Sequence, residues 1–112
     1  MSLDVFLDKV RQNEALAFAD VLALIGEQYD YQPTEFCNGE LVNVAGSNEG
    51  SCKVFSFAKL HDLTEAQTLS LFGEHYRDVL ADPNGSGHQN IRQFMQSGWQ
   101  GIVFKGVALV AK

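Results

Sequence analysis

The apolar residues at the start of the chain recur at helical spacing and predict two short amphipathic helices. The stripe of the first helix, which follows a Ser2 N-cap, consists of Leu3, Phe6, Leu7 and Val10. The stripe of the second helix, which follows an Asn13 N-cap, consists of Phe18, Val21, Leu22, Ile25 and Tyr29. The second helix must end before Pro33, because the residue preceding a proline avoids the helical region. Together the two helices form a predicted helical hairpin.

A β-hairpin is predicted next, over residues 34–43. Its turn is Asn38-Gly39, because a type I′ turn needs a positive φ at both central positions and this dipeptide is a strong signal for it. The turn pairs Phe36 with Leu41. A second pair on the same face joins Thr34 and Asn43.

Another β-hairpin is predicted at the end of the chain, over residues 102–110, with Lys105-Gly106 as its turn. This turn pairs Phe104 with Val107. It also pairs Ile102 with Leu109, so four apolar side chains share one face, which is the consistency expected of a hairpin.

Helices are predicted between the two hairpins. Residues 53–60 fit either a strand or a helix, and Gly50-Ser51 favours a helix that begins near Ser51. A capping box, Thr64 with Gln67, begins a helix that runs to about Ala81. Gly73 lies beside the apolar stripe of this helix, so a neighbouring backbone can approach it closely.

A shorter helix is predicted after a loop at residues 82–87. Ser86 and Gln89 resemble a second capping box, and Gly98 fits the end of the helix. The side chains predicted to face inward are Ile91, Phe94 and Met95. The complete pattern predicts one α+β domain over residues 1–112, in which a small antiparallel sheet made of two hairpins is covered by about five helices.

Composition and charge exclude two classes of function. The chain has 112 residues, 46% of them apolar, so it can bury a core, and its net charge of −6 argues against nucleic-acid binding. No apolar run approaches the length of a membrane helix, and the chain start lacks the features of a cleaved signal peptide. We therefore expect a cytoplasmic protein, monomeric and without a cofactor.

The acidic residues are concentrated in the first half of the chain. Nine acidic and two basic residues occur up to Glu49, whereas five acidic and six basic residues follow it. The acidic N-terminal helices form either a solvated surface or a face that binds a basic protein partner. Cys37 and Cys52 lack metal-ligand spacing, and we predict free thiols, with a disulfide between them as the alternative.

Candidate chemistry begins in the polar segment from Asn43 to Lys53. Its glycines and the predicted helix start offer free backbone N–H groups to an anion. The spacing of a phosphate-binding P-loop is absent, and Glu49 would repel an anion. The alternative is a structural turn in which Asn and Ser side chains cap the helix.

A second group of candidates lies on the predicted helices of the second half. His88, Arg77 and Arg92 could form a small anionic-ligand pocket with the helix start at Ser51, because Arg binds carboxylate and phosphate well. The alternative for both Arg residues is pairing with acidic neighbours. His75, His88 and Glu74 could instead serve a small metal-dependent or hydrolytic enzyme, although no paired Cys/His spacing supports a metal site.

Several of these segments resemble the HopJ type III effector family, and the resemblance spans nearly the whole chain. The matching segments are Asn38-Gly39, residues 43–53, Phe72-Gly73-Glu74-His75-Tyr76-Arg77, residues 88–95 and Gly98-Trp99-Gln100-Gly101. The resemblance implies a small bacterial α+β domain of the group that plant-associated bacteria deliver into host cells through a type III secretion system. It supplies no reaction and no catalytic residues.

Three hypotheses follow from the sequence. The first is a non-enzymatic domain that binds a protein or a small ligand through Asn43, Asn48, Ser51, Lys53, His75, Arg77, His88 and Arg92. The second is the small metal-dependent or hydrolytic enzyme. The third is a translocated effector whose acidic helices bind a host or chaperone protein.

Overall fold

The α+β class is confirmed by a computed structural model that describes residues 2–112, which leaves Met1 outside it. The α-helices of these residues are α1 (Leu3–Arg11), α2 (Phe18–Gln28), α3 (Glu49–Leu60), α4 (Glu65–Ser70), α5 (Glu74–Ala81) and α6 (Gln89–Ser97). The strands are β1 (Tyr29–Tyr31), β2 (Phe36–Asn38), β3 (Leu41–Asn43), β4 (Ile102–Phe104) and β5 (Leu109–Ala111). None of the described helices is both long and apolar enough to cross a membrane.

The strands form two small antiparallel sheets rather than one. One sheet has the order β3-β2-β4, and the other pairs β1 with β5. Residues 102–110 are therefore not a hairpin, and the predicted pairs of Phe104 with Val107 and of Ile102 with Leu109 are wrong. Phe104 lies opposite Phe36, whereas Leu109 lies opposite Tyr31. The two strands separate because each finds a partner that is distant in sequence.

The first hairpin is confirmed, but its turn lies one residue further along than predicted. Asn38 pairs with Leu41, so the turn consists of Gly39 and Glu40. Of these two, Gly39 has a positive φ of 59°, which matches a type II′ turn rather than type I′. The register shifts because Asn38 is fully buried as a strand residue. Phe36 consequently lies opposite Asn43.

The start of α1 is confirmed, whereas the start of α2 differs from the prediction. Ser2 caps α1 by accepting a hydrogen bond from the N–H of Val5. Asn13 has a φ of 61° and ends α1, with Asn13 N–H bonded to Val10 O and Glu14 N–H bonded to Lys9 O. These two bonds define a Schellman motif, for which Asn is a common left-handed residue. Asn13 therefore ends one helix instead of beginning the next.

Residues 53–60 form a helix, as predicted, and residues 54–58 of this helix are buried among aromatic rings. Phe55 of α3 is inaccessible to solvent. Its ring centroid lies 5.9 Å from Phe36, 5.4 Å from Phe72 and 5.0 Å from Phe94. A helix at the centre of the core buries side chains on all sides, so its sequence lacks a simple polar face. Aromatic contacts of this kind stabilise the core beyond their buried area.

The capping box of α4 is confirmed, but the long helix predicted after it is interrupted. Thr64 Oγ1 accepts from Gln67 N–H, and Gln67 Oε1 accepts from Thr64 N–H. The chain then breaks at Gly73, whose φ of 58° and ψ of −128° lie outside the helical region. The backbone of Leu16 and Phe18 packs directly against this glycine, so the predicted close approach is confirmed.

The last helix begins and packs differently from the prediction. His88 is the N-cap of α6, with a φ of 56° and no side-chain capping bond. Gln89 donates through its side chain to the carbonyl oxygen of Ser86, so no reciprocal capping box forms. Met95 is exposed rather than inward-facing. Gly98 ends the helix as predicted.

Both cysteines are free thiols, as predicted. Cys52 is buried in α3, and burial raises the pKa of its thiol. Cys37 is half-buried in β2. A buried thiol that stays protonated behaves as a small apolar side chain rather than as a nucleophile.

A pH-sensitive contact links the end of α3 to β1. The hydroxyl of buried Tyr29 lies 2.6 Å from His61 Nε2, and the unprotonated Nε2 of a neutral imidazole accepts a hydrogen bond from it. Burial, followed by the positive charge of Arg11, lowers the pKa of His61 below its ordinary value. Burial also raises the pKa of Tyr29, which keeps the hydroxyl protonated.

We expect this contact to make folding stability fall at mildly acidic pH. Because folding lowers the pKa of His61, the unfolded chain binds more protons than the folded chain once the pH falls below about 6.5. Replacing His61 with Gln should remove that part of the loss. Urea unfolding of both proteins between about pH 7.5 and pH 5.5 measures it. Equal losses in the two proteins would contradict the role of His61.

Candidate functional site

An open cavity of about 560 Å³ lies where the first turns of α3, α5 and α6 approach β3. We call it the groove. Apolar side chains form part of its wall: Phe18, Leu41, Val42, Phe72 and Ile91. Its polar lining consists of Asn43, Asn48, Ser51, His75, His88, Gln89 and Asn90. The volume is within the range of small-molecule sites, which typically combine apolar walls with a few polar groups.

A network of asparagine side chains joins β2, β3 and α6 beneath the groove. Asn43 and Asn90 form a reciprocal amide pair, with N···O distances of 3.2 and 2.9 Å. Asn38 donates to Asn90 Oδ1 at 3.0 Å, and Asn48 donates to Asn43 Oδ1 at 2.7 Å. Asn38, Asn43 and Asn90 are buried, and these bonds replace most of those that water would otherwise make, while Asn38 Oδ1 has no partner among the described residues.

The amide pair, whose two residues both line the groove, keeps unused donor capacity. An amide nitrogen carries two hydrogens, and the Nδ2 groups of Asn43 and Asn90 each make one hydrogen bond within residues 2–112. Both oxygens of the pair already accept two bonds. The two amides can therefore still donate hydrogen bonds, and this suits a ligand that presents acceptor oxygens.

Helices α3 and α6 begin at the groove without side-chain caps. Asn48 precedes α3 and His88 precedes α6, and both adopt left-handed backbone conformations without a capping side-chain bond. Elsewhere in the same chain Ser2 and Thr64 cap helices through their side chains. Ile91 N–H already bonds to His88 O, whereas the N–H groups of Gly50 and Ser51 in α3 and of Gln89 and Asn90 in α6 are open to an acceptor. The helix dipoles add positive potential there.

The start of α5 is anchored to the start of α2, and this contact positions His75. Glu74 Oε1 accepts from the N–H of Phe18 at 2.8 Å. This hydrogen bond, followed by that from the N–H of Glu74 itself, lowers the pKa of the exposed Glu74 carboxyl. The Phe18 ring contacts His75 edge-on, with centroids 4.8 Å apart. His75 is thus held at the wall of the groove.

His75 and His88 meet at the rim of the groove. Their ring centroids are 4.9 Å apart. One potential ligand atom from each ring and one oxygen of Asp78 all lie within 4.8 Å of one another. Glu74, which the sequence suggested as the acidic partner of the two histidines, instead binds the backbone of Phe18. Asp78 takes that place, one helical turn beyond His75.

The structure brings five of the eight predicted ligand-binding residues to the groove: Asn43, Asn48, Ser51, His75 and His88. The other three lie elsewhere. Lys53 places its ammonium 4.7 Å from the centre of the Tyr31 ring. Arg77 Nη1 lies 3.4 Å from the carbonyl oxygen of Leu16, and Arg92 Nε donates to that of Gly87 at 2.6 Å.

These contacts correct the predicted partners of the two arginines. Within residues 2–112, neither Arg77 nor Arg92 forms an ion pair with an acidic side chain, and neither lines the groove. Both instead bind backbone carbonyls. A pocket formed by both arginines with His88 and Ser51 is therefore not present in this arrangement.

Two important residues were missed because no local pattern marks them. Asn90 follows the N-cap of a predicted helix, where a polar side chain is ordinarily solvated. Asp78 lies on an amphipathic helix that carries other acidic residues. The importance of each residue depends on segments that are distant in sequence, and the chain order gives no signal of that proximity.

Comparisons with known proteins agree along the full length. The family model described as HopJ type III effector protein matches residues 3–109. The crystal structure of the unknown-function protein VPA0580 is 46% identical and superimposes with a TM-score of 0.97, covering 100% of this chain and 95% of that chain. No curated protein matches the chain. With the family model matching nearly all of it, this chain belongs to the HopJ type III effector family.

Proposed function

We propose that this effector-like protein is a non-enzymatic binding domain whose groove takes a small anionic ligand. The observation that carries the proposal is the convergence, in one open cavity, of the uncapped starts of α3 and α6 with the donor side of the Asn43–Asn90 pair. All three features supply N–H groups, and Glu49, which is exposed in the first turn of α3, does not belong to the groove lining. Carboxylate or phosphate oxygens complement such a surface.

The charge of the groove sets the expected strength of binding. Neither Lys nor Arg lines it within the described residues, and the whole chain carries a net charge of −6. Recognition would therefore depend on directed N–H groups and the two imidazoles rather than on long-range attraction. This favours selectivity for the shape of the anion over its total charge.

An NMR titration of the metal-free protein with phosphate and citrate tests the proposal. We expect the amide signals of Gly50, Ser51, Gln89 and Asn90 to shift together. Replacing Gln89 with Glu should weaken binding about tenfold, because it places a negative charge at the first turn of α6. Gln96→Glu makes the same charge change at the far end of the helix and should alter affinity less than twofold.

Two outcomes would contradict the anion proposal. In the first, neither anion shifts the groove amides. In the second, Gln89→Glu and Gln96→Glu bind with equal affinity, because a groove site must distinguish the two ends of α6. Glu is well tolerated in a first helical turn, so the Gln89 variant is expected to fold.

Binding of a basic protein is a second proposal, supported by the exposed acids of α1 and α2. Asp4, Asp8, Asp20 and Glu27 are exposed, and Asp8 makes a single surface ion pair, with Arg11 at 3.8 Å. An exposed ion pair of this kind contributes little free energy, so Asp8 can exchange Arg11 for a basic group of a partner. A Lys-rich peptide in the same titration should shift the amides of α1 and α2 if this face binds, and unchanged α1 and α2 signals would contradict this second proposal. Delivery into a host cell, which the family name suggests, would add an external partner for this face.

A further inference from the structure

A cluster of three potential metal ligands lies at the rim of the groove. His75 and His88 each offer one ring nitrogen and Asp78 one carboxylate oxygen, and these atoms all lie within 4.8 Å of one another. From this convergence we propose that His75, Asp78 and His88 bind a divalent transition-metal ion of the Zn²⁺ type. The metal site shares His75 and His88 with the proposed anion site, but it can be tested with the metal ion alone, so the failure of one proposal is distinguishable from the failure of the other.

The fold presents two of these ligands from separate anchored helix starts. His75 follows the Gly73 break and packs on Phe18, with ring centroids 4.8 Å apart. His88 adopts a left-handed backbone conformation, with a φ of 56°, although its side chain does not cap α6. A left-handed histidine is uncommon and requires support from its surroundings. In this backbone conformation the His88 ring lies beside the His75 ring, with the two centroids 4.9 Å apart.

The third ligand fits helical geometry. Asp78 follows His75 by three residues in α5, and residues at that spacing lie on the same helical face. Asp78 and His88 are both exposed, so their side chains can rotate toward a shared ion without disturbing the core. Helix α5 carries two acidic side chains, Glu74 and Asp78, and one basic side chain, Arg77. The resulting negative charge favours the binding of a cation at this rim.

The distances are compatible with coordination after a small closure. Zn²⁺ bonds to nitrogen or oxygen at about 2.1 Å, so ligands at tetrahedral angles lie about 3.4 Å apart. The three atoms must therefore approach by less than about 1.5 Å, which rotation of exposed side chains can supply. Two imidazoles and one carboxylate suit Zn²⁺ and related ions better than Mg²⁺ or Ca²⁺, which prefer oxygen ligands alone.

A site with three protein ligands leaves a position open for water or another ligand. This rim faces a groove whose lining contains neither Lys nor Arg within the described residues. A bound cation would supply the positive charge that the lining lacks. We therefore expect a Zn²⁺-loaded protein to bind phosphate or citrate more tightly than the metal-free protein.

Isothermal titration of the metal-free full chain with ZnCl₂ alone tests the site. We expect one ion per chain. The Asp78→Asn, His75→Gln and His88→Gln variants should each weaken binding at least about tenfold, since the loss of outer-shell partners alone has that effect. Asp82→Asn, which removes a nearby acid outside the cluster, should bind as the parent does. Circular dichroism checks the fold of each variant.

A second measurement identifies the ligands directly. Zn²⁺ should shift the ring signals of His75 and His88 together at one equivalent, and those of His61 should stay unchanged. The proposal fails if the parent binds no Zn²⁺. It also fails if the His75→Gln/His88→Gln double variant binds Zn²⁺ as tightly as the parent. Asp78→Asn keeps the test valid if a histidine variant unfolds, because it changes an exposed side chain of nearly equal size.

Discussion

Replacing Gly73 with Ala is expected to lower the free energy of unfolding by about 3–5 kcal/mol. The φ of 58° and ψ of −128° at this position are strained for any residue with a Cβ atom. An added Cβ would lie 2.6 Å from the carbonyl oxygen of Leu16 and 2.8 Å from the nitrogen of Phe18. Both atoms belong to backbone, so a side-chain rotation cannot relieve the contact. Urea unfolding followed by the fluorescence of Trp99 measures the loss.

Gly26 provides the matched control for this substitution. It lies within α2, and an added Cβ would meet no atom within 4 Å. Gly26→Ala should therefore stabilise the protein by about 0.5–1 kcal/mol, because Ala restricts the unfolded chain and favours a helix. Equal effects of the two substitutions would show that the close approach at Gly73 is unimportant.

Replacing Asn90 with Ala is the second change with a large expected effect, a loss of about 2–4 kcal/mol. Asn90 Oδ1 accepts from both Asn38 and Asn43, and its Nδ2 donates to Asn43. Removing the amide leaves Asn43 Nδ2 without its partner in a buried site. The cost of an unsatisfied buried group exceeds the net contribution of an ordinary hydrogen bond.

Gln96, another polar residue of α6, provides the control for the Asn90 substitution. Gln96 is exposed, and Gln96→Ala should change stability by less than about 0.5 kcal/mol. A double variant, Asn43→Ala with Asn90→Ala, should lose less than the sum of the single losses, because each single change orphans the other amide. Strict additivity would argue against the reciprocal amide pair.

Local interactions explain which elements could be predicted from the sequence. Ser2 capping α1 and the Thr64–Gln67 box are formed within one turn, so the chain order contains all of their atoms. Gly98 ends α6 for the same kind of local reason. The family resemblance was also visible from the sequence, because it rests on residue order alone.

The errors occur where a distant segment competes with a local pattern. Asn38 looks like a turn residue, but its side chain bonds to Asn90 and draws the residue into β2. Residues 102–110 alternate as a hairpin would, yet β4 pairs with β2 and β5 with β1. A local turn preference contributes less to folding stability than the backbone hydrogen bonds that form when a strand pairs with a distant strand.

The α+β class, the caps of α1 and α4, the free thiols and the family could all be inferred from residue order. Five residues that line the groove could be inferred in the same way. Two features required the folded arrangement: Asn90 joins Asn43 beneath the groove, and Asp78, rather than Glu74, lies beside His75 and His88. Helix caps depend on atoms a few residues apart, so the local sequence contains them. The amide network and the cluster of His75, Asp78 and His88 depend instead on how α5, α6 and β3 pack together.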